Sequence, residues 1–97
     1  MKKGEWTFLT NHGRVLAFIA NHPRSTTQEI GQEATITLRT VHKIITELES
    51  EGYIVRKKEG RRNRYEVNTL LPMRHRLERE HAIGDILVAL GSQLRKD

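Results

Sequence analysis

Apolar side chains recur at helical spacing in the first quarter of the chain, within residues 10–21. Thr10 or Asn11 can cap the start of this helix with a side-chain oxygen. The step from His22 to Pro23 ends it, because proline disfavours the helical conformation in the residue before it. The pattern predicts a first helix whose inner side carries Val15, Leu16, Phe18 and Ile19.

A threonine followed three residues later by a glutamate marks a second helix. Thr26 and Glu29 fit a capping box, in which the hydroxyl and the carboxylate each accept a hydrogen bond from a backbone N–H at the helix start. This short helix is expected to run to about Ala34 and to bury Ile30. Gly31 leaves room for another helix to approach closely.

A third helix follows after only three residues, 35–37. Its start is capped by Thr37, and Gly52 stands where a left-handed residue commonly ends a helix. Two helices joined by so short a turn are typical of a helix-turn-helix, although any three-helix domain also fits such stripes. The inner stripe of the third helix has the spacing i, i+3, i+4, i+7 and consists of Val41, Ile44, Ile45 and Leu48.

Two strand-like runs, residues 53–55 and 64–67, flank a basic segment directly after the third helix. This order predicts the hairpin, or wing, of a winged helix-turn-helix domain. Tyr65 and Val67 are expected in the core. The positive charge of the wing is concentrated where phosphate would be met, in Arg56, Lys57, Lys58, Arg61, Arg62 and Arg64. The three arginines at its tip, Arg61, Arg62 and Arg64, have no evident packing role, so we expect them to contact phosphate or the minor groove.

From Met73 onward the apolar positions follow the heptad spacing of paired helices. This predicts a long C-terminal helix, whose wide apolar face is best buried against a second copy. The expected fold is mainly α with a small β-hairpin (α+β): a winged helix-turn-helix domain over residues 1–70 and a dimerisation helix over residues 71–97. The expected dimer interface is Leu77, Ile83, Leu87, Leu90 and Leu94.

Composition limits the class of protein without deciding between a polyanionic partner and plain solubility. A chain of 97 residues without cysteine has a thin core and no disulfides, which favours a homodimer. Its 17 Lys and Arg against 12 Asp and Glu give a net charge of +5, which fits either a polyanionic partner or plain solubility. No apolar run reaches the roughly 20 residues of a membrane span and no signal peptide is evident, so a cytoplasmic location is expected.

The side of the third helix opposite the core stripe is the predicted base-reading surface. Arginine can donate two hydrogen bonds to guanine, and threonines at the helix start can donate to phosphate. An ordinary solvated surface is the alternative, and the neighbouring basic wing favours function. The candidates on the helix are Thr37, Arg39, Thr40, His42, Lys43 and Thr46; those on the wing, for phosphate or the minor groove, are Lys58, Arg61, Arg62, Asn63 and Arg64.

Metal binding and catalysis find little support. His81 and Asp85 are one helical turn apart, but His75 would lie on another face, so no metal site is expected. There is no cysteine nucleophile, phosphate-binding glycine loop or serine–histidine–acid set, so neither an enzyme nor a cofactor is expected. A small-molecule effector would need a cleft at the dimer interface, near Trp6 and Phe8.

Several segments resemble MarR-like and ArsR-like bacterial winged-helix transcriptional regulators: residues 6–12, 15–16, 37–41, 51–53 and 60–65, the last reading Gly-Arg-Arg-Asn-Arg-Tyr. The resemblance implies a dimer with the third helix in the major groove and the wing on adjacent backbone or minor groove. Two departures stand out. Thr35 occupies a turn position where glycine is usual, which implies a slightly altered turn, and the cysteine pairs of metal-sensing relatives are missing.

The function expected from these features is sequence-specific binding of double-stranded DNA as a homodimer, with transcriptional repression favoured over activation. The operator would be an inverted repeat with half-sites about one helical turn, roughly 34 Å, apart. A winged-helix module for protein–protein interaction or RNA binding is the alternative, because fold alone does not determine function.

Overall fold

The computed structural model describes residues 6–91. Its elements are α1 (Asn11–Asn21), α2 (Thr27–Ala34), α3 (Leu38–Ser50), β1 (Ile54–Glu59), β2 (Arg62–Val67) and α4 (Ile83–Ala89). The two strands form one antiparallel hairpin, with Ile54 opposite Val67 and Glu59 opposite Arg62. Three helices followed by a hairpin confirm the predicted winged helix-turn-helix fold.

Side-chain caps position the first three helices where the sequence indicates. The Thr10 hydroxyl accepts a hydrogen bond from the Gly13 N–H at 3.1 Å. The capping box of α2 is complete: the Thr26 hydroxyl accepts from the Glu29 N–H at 3.1 Å, and the Glu29 carboxylate accepts from the Thr26 N–H at 2.8 Å. These bonds satisfy backbone donors that have no partner within the helix, so the helix starts are well defined.

A single apolar core lies between the three helices and the hairpin. Ile19, Ile30 and Ile44 are among its fully buried side chains, one from each helix. Tyr65 from β2 is buried as predicted, and Val67 is half-buried against the same cluster. The base of the hairpin, at Ile54, Tyr65 and Val67, therefore packs on the helices, whereas β1 is exposed from Val55 onward.

The turn between α2 and α3 brings the two helices very close together. A Cβ added to Gly31 would lie 3.0 Å from the Ile36 carbonyl oxygen and 3.3 Å from Val41 Cγ2, so any larger residue there would be tightly packed against the turn and α3. Thr35 has a φ of 61° and a ψ of 48°, the left-handed conformation that glycine adopts readily. The turn thus keeps a glycine-like backbone with a β-branched residue, which costs about 1–2 kcal/mol.

The chain after the hairpin departs from the predicted long helix. Residues 73–82 form turns, and α4 covers only seven residues, Ile83–Ala89. Leu77 is the one apolar residue between positions 74 and 81 and is 75% exposed. A helix there would have no apolar stripe to pack, and short helices without packing are marginal in water. The prediction of a helix starting at Met73 is therefore wrong for residues 73–82.

Local contacts close this segment into a loop. The Met73 N–H donates to the His81 carbonyl at 3.0 Å, next to a bridge between Pro72 and Ala82. The Gly84 N–H donates to the Thr69 carbonyl at 2.9 Å, which docks the start of α4. As a result Leu87 packs into the core of its own chain. No helix within residues 6–91 has the length and apolar character to cross a membrane.

Candidate nucleic-acid interface

The two sides of α3 differ completely in exposure. Val41, Ile44, Ile45 and Leu48 are buried, whereas the other side is open to solvent. The structure brings the predicted base-reading residues together on that open side. We call this surface the outer face of α3; it consists of Arg39, His42, Lys43 and Thr46, all exposed.

The two threonines at the start of α3 have different hydrogen-bonding capacity. The Thr37 hydroxyl accepts from the Thr40 N–H at 3.1 Å and donates its own proton to the Thr40 hydroxyl oxygen at 2.9 Å. Thr37 therefore caps the helix and has no proton left for a phosphate. The Thr40 hydroxyl proton remains available, so Thr40 is the better donor of the two.

One side chain of the outer face belongs to an ion-pair network. Lys43 Nζ lies 3.4 Å from Glu47 Oε2, and His12 Nε2 lies 2.6 Å from Glu47 Oε1. The hydrogen bond from His12 is the largest influence on the pKa of Glu47 and lowers it; burial opposes this effect, and Lys43 adds further lowering. Lys43 is 69% exposed, so its pair is weak and can be exchanged for a phosphate contact. Within residues 6–91, Arg39 and His42 form no ion pair.

An arginine joins the wing to α3. Arg56 Nη2 of β1 lies 2.7 Å from Glu49 Oε1, and the Arg56 Nε donates to the other carboxylate oxygen at 3.4 Å. The hydrogen bond from Arg56 lowers the pKa of Glu49. This contact ties the strand to the last turn of the helix, so the wing starts from a position fixed relative to the outer face of α3.

The tip of the wing is a two-residue connection between the strands. Gly60 supplies a φ of 62° there, followed by Arg61. Lys58 and Arg61 are exposed and form no ion pair with any part of the chain that the structure describes. Asn63 lies opposite Lys58 in the ladder and is half-buried.

The other two predicted wing arginines have intramolecular partners. Arg64 Nε is 2.8 Å from Glu59 Oε2, and Arg64 Nη1 is 2.7 Å from Glu66 Oε2. The Arg62 guanidinium donates to the Arg24 carbonyl at 3.0 Å. The expectation that these cations have no packing role is therefore wrong for Arg62 and Arg64.

Sequence reasoning missed Arg24 altogether. Its Nε lies 2.8 Å from Glu59 Oε1, although the two residues are 35 positions apart in the chain. Arg24 stands alone in the loop between α1 and α2, away from any charge run, so no local pattern indicates the contact. The one available signal is the positive charge of Arg24 itself, in a loop that could lie near the predicted wing.

The predicted dimer residues are dispersed. Leu77 and Leu90 are exposed, Ile83 is half-buried, and Leu87 is buried within its own chain; Leu94 lies outside the described residues. The aromatic residues Trp6 and Phe8 are 72% and 92% exposed and stack edge to face, with ring centroids 5.1 Å apart. Phe8 also borders an apolar groove of about 360 Å³ that Ile83, Leu87 and Leu90 line from the other side.

The histidines of the C-terminal segment do not form a metal cluster in the described part of the chain. His81 Nδ1 lies 3.7 Å from Asp85 Oδ2, while the ring of His75 accepts a hydrogen bond from the Leu77 N–H at 3.0 Å. The two histidines thus serve separate local contacts.

Comparison with known proteins identifies the family. A sequence model of the MarR family matches residues 7–64, more than half of the chain and the whole span from α1 to the wing arginines. The chain belongs to the MarR family. The resemblance to MarR-like regulators is thereby confirmed, and the matched region contains the outer face of α3 and the wing as far as Arg64.

A solved structure supports the fold of this MarR-family chain. MepR, a transcription regulator of the Staphylococcus aureus multidrug efflux pump MepA, superposes with a TM-score of 0.55 at 24% identity, over 62% of this chain and 47% of MepR. The chain thus spans about half the length of that relative. A comparison with curated proteins gave no match.

Proposed function

We propose that this MarR-family chain binds double-stranded DNA sequence-specifically as a homodimer and thereby represses transcription. The observation that carries the proposal is the outer face of α3, a solvated helical surface, together with a wing whose tip holds two cations, Lys58 and Arg61, that form no ion pair within residues 6–91. A helix of this kind fits the major groove, and a basic loop meets the adjacent backbone.

The two surfaces have separate tasks in this proposal. Arg39 reads a guanine through two hydrogen bonds, and His42, Lys43 and Thr46 contact neighbouring bases or phosphates. Thr40 donates to a phosphate at the positive end of α3. The wing residues Lys58 and Arg61 add contacts to the backbone or minor groove that are independent of sequence.

Exposed apolar surface supports the homodimer. Trp6, Phe8, Leu77 and Leu90 are largely solvent-exposed in the single chain, and side chains of this size are costly to leave in water. A second copy would cover them and place two α3 helices on one duplex. The operator is then an inverted repeat with half-sites about 34 Å apart. The groove beside Phe8 is where a small-molecule effector would bind.

Selection of bound fragments from a random duplex pool tests the proposal. We expect a consensus with two-fold symmetry, and binding of the selected duplex at least about 1000-fold tighter than of random duplex at the same salt concentration. Equal affinity for all duplexes, or preference for a structured RNA over DNA, would contradict it. Sedimentation of the free protein across a concentration series tests the dimer directly.

A further inference from the structure

The carboxylate of Glu59 lies between two arginines from different parts of the fold. One oxygen is 2.8 Å from Arg24 Nε and the other is 2.8 Å from Arg64 Nε. Both hydrogen bonds lower the pKa of Glu59, that from Arg24 first and that from Arg64 second. We call Arg24, Glu59 and Arg64 the Glu59 cluster.

The backbone around the cluster is held by two further bonds. The Tyr65 N–H donates to the Pro23 carbonyl at 2.8 Å, and the Arg62 guanidinium donates to the Arg24 carbonyl at 3.0 Å. The loop that carries Arg24 is therefore hydrogen-bonded along β2. The backbone of Arg24 is therefore held independently of the Glu59 carboxylate, and the Arg64 side chain has a second partner in Glu66.

All three side chains of the cluster are at least partly open to solvent. The side chain of Arg24 is 62% exposed and that of Glu59 is 38% exposed, while Arg64 is 28% exposed and keeps a second partner in Glu66. Exposed ion pairs of this kind contribute little to stability, so another anion can replace the carboxylate at small cost. A phosphate offers the same pair of oxygens to two guanidinium groups.

We propose that Glu59 occupies, in the free protein, the position of a DNA phosphate between Arg24 and Arg64, so that Arg24 is part of the DNA interface and Glu59 is an internal competitor. This inference rests on the proposed function, since it assigns a further contact to the same interface. In this exchange a phosphate of the DNA backbone replaces the Glu59 carboxylate. Glu59 therefore lowers affinity for every duplex by the same factor and leaves sequence preference unchanged.

A purely structural role for Glu59 predicts the opposite sign. If the carboxylate only fastens the wing to the loop after α1, its removal loosens the wing and weakens DNA binding. If it competes with phosphate, its removal strengthens binding. The sign of the change on one substitution thus separates the two roles.

The chain offers a matched control pair. Glu51 and Arg74 form another exposed ion pair, at 3.5 Å, with exposures of 52% and 67%. Glu51→Gln changes the net charge as Glu59→Gln does, and Arg74→Ala changes it as Arg24→Ala does. Both control residues lie outside the α3 and wing surfaces, so they report the effect of net charge alone.

Titration of selected and random duplexes at several salt concentrations tests the proposal. We expect Glu59→Gln to tighten binding to both duplexes about 3- to 10-fold, and Glu51→Gln by less than about 2-fold. Arg24→Ala should weaken both about 3- to 10-fold and reduce the salt slope by about one, whereas Arg74→Ala should leave the slope unchanged. Weaker binding of Glu59→Gln, or equal behaviour of the two substitutions in either pair, would overturn the proposal.

Elution from heparin separates this proposal from the proposed function. Heparin is a polyanion without base sequence, so its binding depends on the cations of the chain and not on base recognition. If the protein without substitutions does not bind duplex DNA, the proposed function is wrong. Later elution of Glu59→Gln than of Glu51→Gln would then still support the anion site, and coincident elution would overturn it.

Discussion

The outer face of α3 and the wing are both basic, but their charges are in different states. On α3, Arg39 and His42 form no ion pair within residues 6–91, and Lys43 has one weak partner. On the wing, Arg56, Lys57 and Arg64 are each paired with a glutamate of the same chain, whereas Lys58 and Arg61 at its tip form no ion pair within the described residues. In the proposed function, the paired cations hold the hairpin in place and the two unpaired ones contact the phosphate backbone. The outer face of α3 is then the proposed reading surface and the wing the proposed positioning surface.

The largest expected effect separates the two sides of α3. Ile44 is 2% exposed, so Ile44→Ala should lower the free energy of unfolding by about 2–5 kcal/mol through lost apolar contacts and a cavity. Thr46→Ala, on the outer face of the same helix, should change it by less than about 0.5 kcal/mol. Urea unfolding of both variants measures this. A similar loss of unfolding free energy in both variants would mean that Thr46 is buried, which would contradict the assignment of the outer face.

The next effect separates reading from positioning. Arg39→Ala should cost about 1–3 kcal/mol at one base pair in each half-site and little on random duplex. Arg61→Ala should weaken binding to all duplexes alike and reduce the salt slope by about one. Fluorescence anisotropy with single-position operator variants checks both. A sequence-dependent loss for Arg61→Ala would remove the distinction between the two surfaces.

A smaller effect concerns the turn that orients α3. Thr35 holds a φ of 61°, which a glycine adopts without steric cost. Thr35→Gly should therefore raise the free energy of unfolding by roughly 1 kcal/mol and leave DNA affinity unchanged. Ser50→Gly, near the end of the same helix, is the control and should destabilise through its helical position. Destabilisation by Thr35→Gly would show that the threonine side chain has a compensating contact.

The smallest effect is the acid sensitivity of the wing. Hydrogen bonds from Arg56, Arg24 and Arg64 lower the pKa values of Glu49, Glu59 and Glu66, respectively, below the ordinary 4.5. A carboxyl whose pKa is lower in the folded state stabilises the fold above pH 4.5, and this stabilisation is lost as the pH falls through the lowered value. Thermal unfolding should show a decline below about pH 4.5. It should be shallower for Glu49→Gln, and an equal decline would contradict the assignment.

Elements with a periodic apolar side and a cap could be predicted from the sequence alone. The stripe of α3, with its cap at Thr37, correctly identified both its buried and its outer face. The structure of the segment that starts at residue 73 could not be predicted in this way. Its regular heptad spacing starts only at Ile83, and the residues before Ile83 are almost all charged or polar. The prediction extended the helical spacing of the later apolar residues back over residues 73–82, which have no apolar surface to bury.

For the candidate site, the sequence suggested residues but could not show how they pair. Charge runs and helical spacing identified Arg39, Arg61 and Arg64, but the partners of the wing cations lie up to 38 positions away in the chain. Such contacts depend on how the loop after α1 packs along β2. No local pattern around Arg24 contains that information.

The central claim is that the outer face of α3 and the wing contact the same duplex half-site. The chain has no cysteine, so Thr46→Cys and Arg61→Cys each give a single attachment point for a DNA-cleaving iron chelate. On the selected operator, we expect cleavage from both positions within one half-site, with the Arg61 pattern displaced toward its edge. Cleavage from only one of the two positions, or from two unrelated places on the duplex, would contradict the account.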